Sequence, residues 1–335
     1  MKNALTGPSF SSVLQDYFYQ RLINQMNASP RTIASYRDTF RLLLQYAEGR
    51  LGKPPVAISL NDLDAPLVLD FLDHLEKGRG NSARTRNARL APICSFMQYA
   101  ALRDPTALVV AHRIRAIPQK RFQRKVVGFL SREEMNTVLD APDASTWSGL
   151  RDRVMFATFY NTGARVSEVI GMRVEDISLG QSSHIRIHGK GRKDRIVPLW
   201  KNTALQLKGW INRIAAKPEA ALFQNRQGQA LTRSGIENRL REAVNSAARL
   251  HPALLQKAIS PHVLRHTTAM HLLQSGVDLS VIALWLGHES SSTTHIYMEA
   301  DLSMKERALN KIQEPVSRFP RFRPTDKVLQ FLEGL

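Results

Sequence analysis

The sequence predicts a mainly α-helical protein with one small antiparallel β-sheet, divided into a helical N-terminal domain and a mixed α/β C-terminal domain. Three observations predict it. The chain has 335 residues, enough for two domains of ordinary size. Apolar residues recur at helical spacing through most of residues 9–102. Two short alternating runs, at 184–188 and 195–199, flank a glycine-rich turn and read as a hairpin.

In the N-terminal part, residues 10–23 form one periodic stretch. Ser29-Pro30 starts a second helix, with Ser as N-cap and Pro in the first turn. Ile33, Tyr36, Phe40, Leu43, Leu44 and Ala47 then recur on one face. Leu67, Leu69, Phe71, Leu72 and Leu75 mark a third helix. The fourth begins near Asn81-Ser82 and carries Leu90, Ile93, Cys94, Met97 and Ala100. Pro92 lies inside it and is expected to kink or split it, because proline lacks the N–H and crowds the preceding turn. These four helices make a small bundle, domain 1–105. Residues 106–128 read as a basic linker with Pro118 and many cations. Domain 129–314 follows, then a tail over 315–335.

In the C-terminal part, Ser131 to Glu134 reads as a capping box. An apolar helix runs over 152–160 toward Gly163, and further helices start near Ala204, Ser234 and Ser260. Gly276 and Gly287 punctuate a helix over 277–286. Residues 290–294 offer an N-cap for a short helix bearing Tyr297. In the tail, apolar Val328, Leu329, Phe331, Leu332 and Leu335 follow a candidate N-cap at Thr325. This segment either folds back on its own domain or reaches a neighbouring protomer.

The charge narrows the partners. Lys plus Arg number 47 against 29 Asp plus Glu, a net charge of +18. Such an excess favours a polyanion through phosphate neutralisation and counterion release, so a nucleic acid is the expected partner, against a merely basic soluble protein or one that touches anionic lipid. The cations expected to touch it are Arg84, Arg86 and Arg89 at the fourth helix start, Arg113, Arg115, Lys120, Arg121, Arg124 and Lys125 in the linker, and Arg192 and Lys193 in the hairpin turn. Plain solvated basic faces are the competing reading. The single cysteine, Cys94, sits among apolar residues and reads as a small core residue. No apolar run approaches the ~20 residues that span a bilayer, and the N-terminus lacks a signal-peptide core, so a cytoplasmic protein without membrane partners is expected.

Six residues in four boxes carry the chemistry: Arg165 in Thr162-Gly163-Ala164-Arg165, Lys190 in Gly189-Lys190-Gly191, His262 and Arg265 in His262-Val263-Leu264-Arg265-His266, and His288 in Leu286-Gly287-His288, followed nine residues on by Tyr297. Two guanidiniums, an amine, two imidazoles and a phenol are able to clamp a phosphodiester, attack it and protonate the leaving alcohol without a metal or cofactor. Each box alone has a plainer reading. Arg165 and Glu168 make an ordinary i,i+3 pair. Lys190 is a turn lysine outside any Walker pattern, since no Ser or Thr follows it. His262 and His266 have zinc spacing, but Val263 stands where a zinc protease needs glutamate. His266 then reads as a core histidine, and an isolated Tyr297 as packing.

Together, and in this order over 129–308, the boxes resemble the tyrosine recombinase (phage integrase) family, and the N-terminal bundle resembles its core-binding domain. The resemblance implies a two-domain clamp on duplex DNA. It implies attack by Tyr297 to form a 3′-phosphotyrosine, with Arg165 and Arg265 on the phosphate oxygens and His262 and His288 hydrogen-bonding to the phosphate. His262 is the acceptor of the phenolic proton, and Lys190 the donor to the leaving 5′ oxygen. It further implies a homotetramer on two duplexes, acting through a Holliday junction. The run from Ile296 to Leu302 looks closer to transposon-borne members that integrate or move mobile elements. A chromosome-dimer resolvase of the same family, a type IB topoisomerase-like relaxing enzyme and a non-catalytic DNA-binding regulator are the alternatives.

Overall fold

The structure, a computed structural model, describes residues 9–122, 128–189 and 194–287. The chain divides into two compact units, Met1–Lys125 and Val126–Leu335.

The N-terminal unit holds five α-helices among its described residues. These are α1 (Phe10–Asp16), which runs on in π-type winding through Tyr17–Gln25, α2 (Pro30–Leu51), α3 (Ala65–Asp73), α4 (Ala83–Arg103) and α5 (Leu108–Arg115). Ser29 caps α2 as its sequence predicts, accepting the Thr32 N–H, and Ser82 caps α4 through the Thr85 N–H. The centre is aromatic. Tyr17, Phe40 and Phe96 meet edge-to-face with centroids 5.2–6.4 Å apart, and the Tyr17 hydroxyl donates to Ser95 Oγ at 2.7 Å. Burial pushes the Tyr17 phenol up to about 12, against the weaker opposing pull of that hydrogen bond. Cys94 is half-buried against this core.

Two expectations are corrected here. Pro92 does not split its helix, because α4 is continuous from Ala83 to Arg103. Leu90, Ile93, Phe96 and Met97 are buried on both sides of the proline. Their burial, at roughly 1.5–3 kcal/mol each, outweighs the ~3 kcal/mol cost of an internal proline. Second, the stretch read as a linker contains α5. Ala111, Ile114 and Ile117 fall at helical spacing between the cations and are buried in the N-terminal core. The charge run hid that stripe.

The C-terminal unit begins with α6 (Arg132–Asp140), whose capping box pairs Ser131 with Glu134 as expected. Then come α7 (Trp147–Thr162) and α8 (Val166–Gly171). A three-stranded antiparallel sheet follows in the order β1 (Ile177–Ser178), β2 (His184–His188), β3 (Asp194–Pro198). The expected hairpin is β2–β3, with Ile185 opposite Val197 and His188 opposite Asp194. The two-residue β1 is too short for alternation to reveal. Next are α9 (Lys201–Ile214), α10 (Arg233–Ala247), α11 (Pro261–Gln274) and α12 (Leu279–Leu286). Their core is built on Phe156, Phe159, Trp210, Phe223 and Leu264. The loop before α11 is anchored by buried Leu254 and by Lys257, whose amine donates to Glu134 at 2.6 Å.

Candidate active site and nucleic-acid interface

Two helix ends build the site. Gly163 terminates α7 with φ +59°, and Gly287 terminates α12 with φ +64°, a left-handed conformation that favours glycine. A side chain at Gly163 would collide with the Leu286 methyl, so the end of α12 lies directly against the turn that leads to Arg165.

Arg265 reaches both ends from α11. It is 3% exposed and donates to the Gly163 carbonyl and the Leu286 carbonyl, each at 2.7 Å. Carbonyls at a helix C-terminus lack intrahelical donors and carry partial negative charge, which a guanidinium offsets well. Arg165, the residue preceding α8, donates to the Gly287 carbonyl at 3.1 Å and to Glu168 Oε1 at 2.7 Å. The structure therefore brings together the two arginines that the sequence separates by a hundred positions. His262 lies one turn before Arg265 on α11 and is exposed. Lys190, His288 and Tyr297 lie outside the described residues, although Lys190 follows β2 and His288 directly follows Gly287.

Glu168 is not half of a surface pair. Its side chain is 4% exposed. It accepts the Arg165 backbone N–H at 2.8 Å, the Arg165 guanidinium at 2.7 Å, and two bonds from Arg195 at 3.2 and 2.8 Å. Burial alone would raise this carboxyl. The bonds from Arg195 and Arg165, with the charge of Arg195, outweigh burial and hold it below the usual carboxylate range.

Arg195 was missed as a site residue. It sits in the Lys190 box, but its role depends on a partner 27 residues away. One signal was present: it alternates onto the same face of β3 as buried Val197, where a solvated charge is out of place.

His188 is a second unexpected group. Its Nε2 faces Asp176 Oδ1 and its Nδ1 faces Asp194 Oδ1, each at 3.0 Å. Ionised carboxylates only accept, so both ring nitrogens carry protons in this arrangement. Asp194 first, then Asp176, push the imidazole above its ordinary value. The tie at the connecting end of the β2–β3 ladder is thus complete below the unfolded histidine value of ~6.5 and is lost as pH rises through the raised folded value. An NMR titration is expected to place His188 above an ordinary histidine and to move it down in Asp194→Asn. A midpoint unaffected by that substitution would refute the pairing.

The cations expected on DNA divide. Arg84, Arg113, Arg115, Lys120 and Arg121 are exposed, with Lys120 also paired to Glu76 at 2.6 Å. Arg86 is a correction. It is 3% exposed, donates to the Pro118 carbonyl at 3.0 Å and to Asn87, and faces Glu76. It ties the chain after α5 to α4 and has no surface to offer a phosphate. Arg89 donates to the Ser35 carbonyl and Thr39 of α2, so it is spent largely on helix packing. Arg124, Lys125, Arg192 and Lys193 lie outside the described residues. Among the described residues no helix is long and apolar enough to cross a membrane.

The chain is similar to known proteins over most of its length. Residues 128–304 match the phage integrase family, and residues 16–104 match the phage integrase N-terminal SAM-like domain. The chain is 46% identical over 327 residues to integrase/recombinase y4rC of Sinorhizobium fredii, covering 98% of both proteins. It is 32% identical over 291 residues to the tyrosine recombinase XerC of Pelotomaculum thermopropionicum, covering 84% of this chain and 92% of that one. Its fold is that of the XerH recombinase bound to a palindromic difH substrate, with TM-score 0.68, 24% identity and coverage of 85% and 80%. It is also that of the Tn1549 transposon integrase with circular intermediate DNA, with TM-score 0.67, 17% identity and coverage of 90% and 99%. With both domain models matched in order and the two arginines joined at one site, the chain belongs to the phage integrase family and is a tyrosine recombinase, an enzyme that breaks and rejoins DNA.

Proposed function

We propose that this recombinase integrates or moves a mobile element, using Tyr297 as nucleophile and six residues as one site. The convergence of Arg165 and Arg265 on the ends of α7 and α12 carries this reading. It sets two guanidiniums beside the backbone that leads into His288. In the proposed reaction the Tyr297 oxygen attacks a backbone phosphorus and a 3′-phosphotyrosine forms as the bond to the 5′ oxygen breaks. Arg165 and Arg265 offset charge on the non-bridging oxygens. His262 takes the phenolic proton, His288 hydrogen-bonds to the phosphate, and Lys190 protonates the leaving oxygen. The ester energy stays in the covalent link, and a 5′-hydroxyl reverses the step on a new strand.

Exposed Arg84, Arg113, Arg115, Lys120 and Arg121 supply phosphate contacts along double-stranded DNA. In this reading the helical and catalytic domains close on the duplex, and four protomers act on two duplexes through a Holliday junction, in the cytoplasm. The tail over 315–335, outside the described residues, is the proposed segment for exchange between protomers. The mobile-element role is favoured over chromosome-dimer resolution by the 46% likeness across 98% of an integrase/recombinase, against 32% to XerC. Excision and integration assays on DNA flanking the gene test it: recombined product at an element end supports it, and product only at a chromosomal dimer-resolution site overturns it.

The donor set also predicts metal independence. Two arginines and a lysine occupy the roles that carboxylate-bound divalent ions fill in two-metal nucleases. Covalent adduct is expected to accumulate in excess EDTA as fast as in magnesium. Loss in EDTA with return on added magnesium would refute the assignment.

A further inference from the structure

We infer that Arg195 is a positioning residue for strand cleavage, one that locks strand β3, the Arg165 carboxylate partner and the end of α12 into a single unit. The inference rests on the six-residue reading above.

Each nitrogen of this guanidinium is engaged. Nε donates to the Trp285 carbonyl at 2.9 Å. Nη1 and Nη2 donate to the two oxygens of Glu168, at 3.2 and 2.8 Å. The side chain is 10% exposed and its carboxylate partner 4%. A bidentate arginine–carboxylate pair removed from water is both directional and strong. Three of the five N–H donors are thus taken up by groups of the fold, and the influence of Arg195 passes through what it holds.

What it holds is the site. Glu168 is the group that fixes Arg165, through both its backbone N–H and its guanidinium. Trp285 lies in the last turn of α12, just before Leu286-Gly287-His288. Arg195 itself belongs to β3, the strand that follows Lys190 in the chain. The fit at Gly287 is close. A Cβ there would stand 3.0 Å from Arg195 Nη1 and 3.2 Å from its Cδ, on a backbone with φ +64°. Glycine at this position thus leaves room for the guanidinium as well as ending the helix.

The physical consequence is a specific one. Glu168 is buried, and among the described residues it is bonded to the charged groups of Arg195 from β3 and Arg165 from its own helix start, while α12 offers these arginines backbone carbonyls. Without Arg195 the carboxyl loses its foremost stabiliser against burial and takes up a proton at higher pH. A protonated Glu168 holds Arg165 less firmly, and a displaced guanidinium costs transition-state binding. Lysine in place of Arg195 keeps one charge but not the three-point grip.

The test uses the full chain and nicked suicide duplexes tiled across the DNA flanking its gene, with the duplex that wild type cleaves taken forward. Single-turnover adduct formation is followed from pH 5 to 8, beside DNA affinity and thermal stability. Arg195→Lys is expected to cleave about 10–100-fold more slowly while binding within about threefold of wild type. Its rate should fall away on the acid side at a higher pH than wild type. Adding Glu168→Gln to Arg195→Lys should remove that acid limb and hold the rate, at every pH, near the slow level the single variant reaches at the acid end, because a neutral amide stands in for the protonated carboxyl. A rate within threefold of wild type, or a loss that tracks bound or folded protein with an unmoved acid limb, overturns the inference. If Arg195→Lys does not fold, Gly287→Ala crowds the same guanidinium from outside and should move the limb the same way. An unmoved limb there is equally fatal. A Tyr297→Phe control separates the two levels, since an adduct persisting in it sinks the active-site reading whatever Arg195 does.

Discussion

Tyr297→Phe is expected to abolish the covalent protein–DNA adduct while half-site binding persists. Phenylalanine removes one oxygen, and that oxygen is the proposed attacking atom. No 3′-phosphotyrosine can form without it, so the rate of adduct formation should drop by at least about a thousandfold. Binding rests on a different set of groups. The chain carries 47 Lys and Arg, and exposed cations such as Arg113, Arg115 and Arg121 lie away from the catalytic boxes in sequence. Their contribution comes from counterion release and is indifferent to a phenol. A gel-shift assay beside denaturing electrophoresis checks both halves. A residual adduct in the variant would remove Tyr297 from its role, and lost binding would show that the phenol shapes the complex itself.

Arg265→Ala is expected to impair both chemistry and folding. Arg265 donates to the carbonyls of Gly163 and Leu286 from a buried position. Truncation leaves these two acceptors without that donor, at about 1–3 kcal/mol each when water cannot reach them. For a unit of this size, a loss of roughly 2–4 kcal/mol lowers Tm by on the order of 5–10 °C. Cleavage should fall further than stability explains, by about 10²–10³-fold, because a preorganised charge at the phosphate is also lost. Arg265→Lys separates the effects. It keeps a cation but holds one carbonyl at a time, so cleavage should remain depressed while part of the Tm returns. Thermal denaturation and single-turnover cleavage, both at fixed protein concentration, are the measurements. An unchanged Tm in Arg265→Ala would mean that the α7 and α12 ends do not depend on this guanidinium.

The limits of sequence reading are clearest at Arg86 and Arg195. Both are cations in charge-rich stretches, and both were placed by their neighbours in the chain. Arg86 was expected on DNA and is instead buried against Glu76 and the Pro118 carbonyl. Arg195 was passed over and is instead bonded to Glu168 and Trp285. A charge run does not reveal which of its members turns inward, since that depends on a partner distant in sequence. The same holds for α5, whose apolar stripe of Ala111, Ile114 and Ile117 was masked by cations.

By itself the sequence determined the fold class, the helix starts at Ser29, Ser82 and Ser131, the β2–β3 hairpin and the two glycine helix ends, because these follow from local periodicity, capping and backbone freedom. It also supplied the six-residue set in family order, a pattern along the chain. Only the tertiary structure decided that Arg165 and Arg265 meet, that Glu168 and Arg195 are buried together, and that His188 bridges two carboxylates. Those contacts join residues up to 122 positions apart, and their geometry arises only when α7, α11, α12 and the sheet pack against one another.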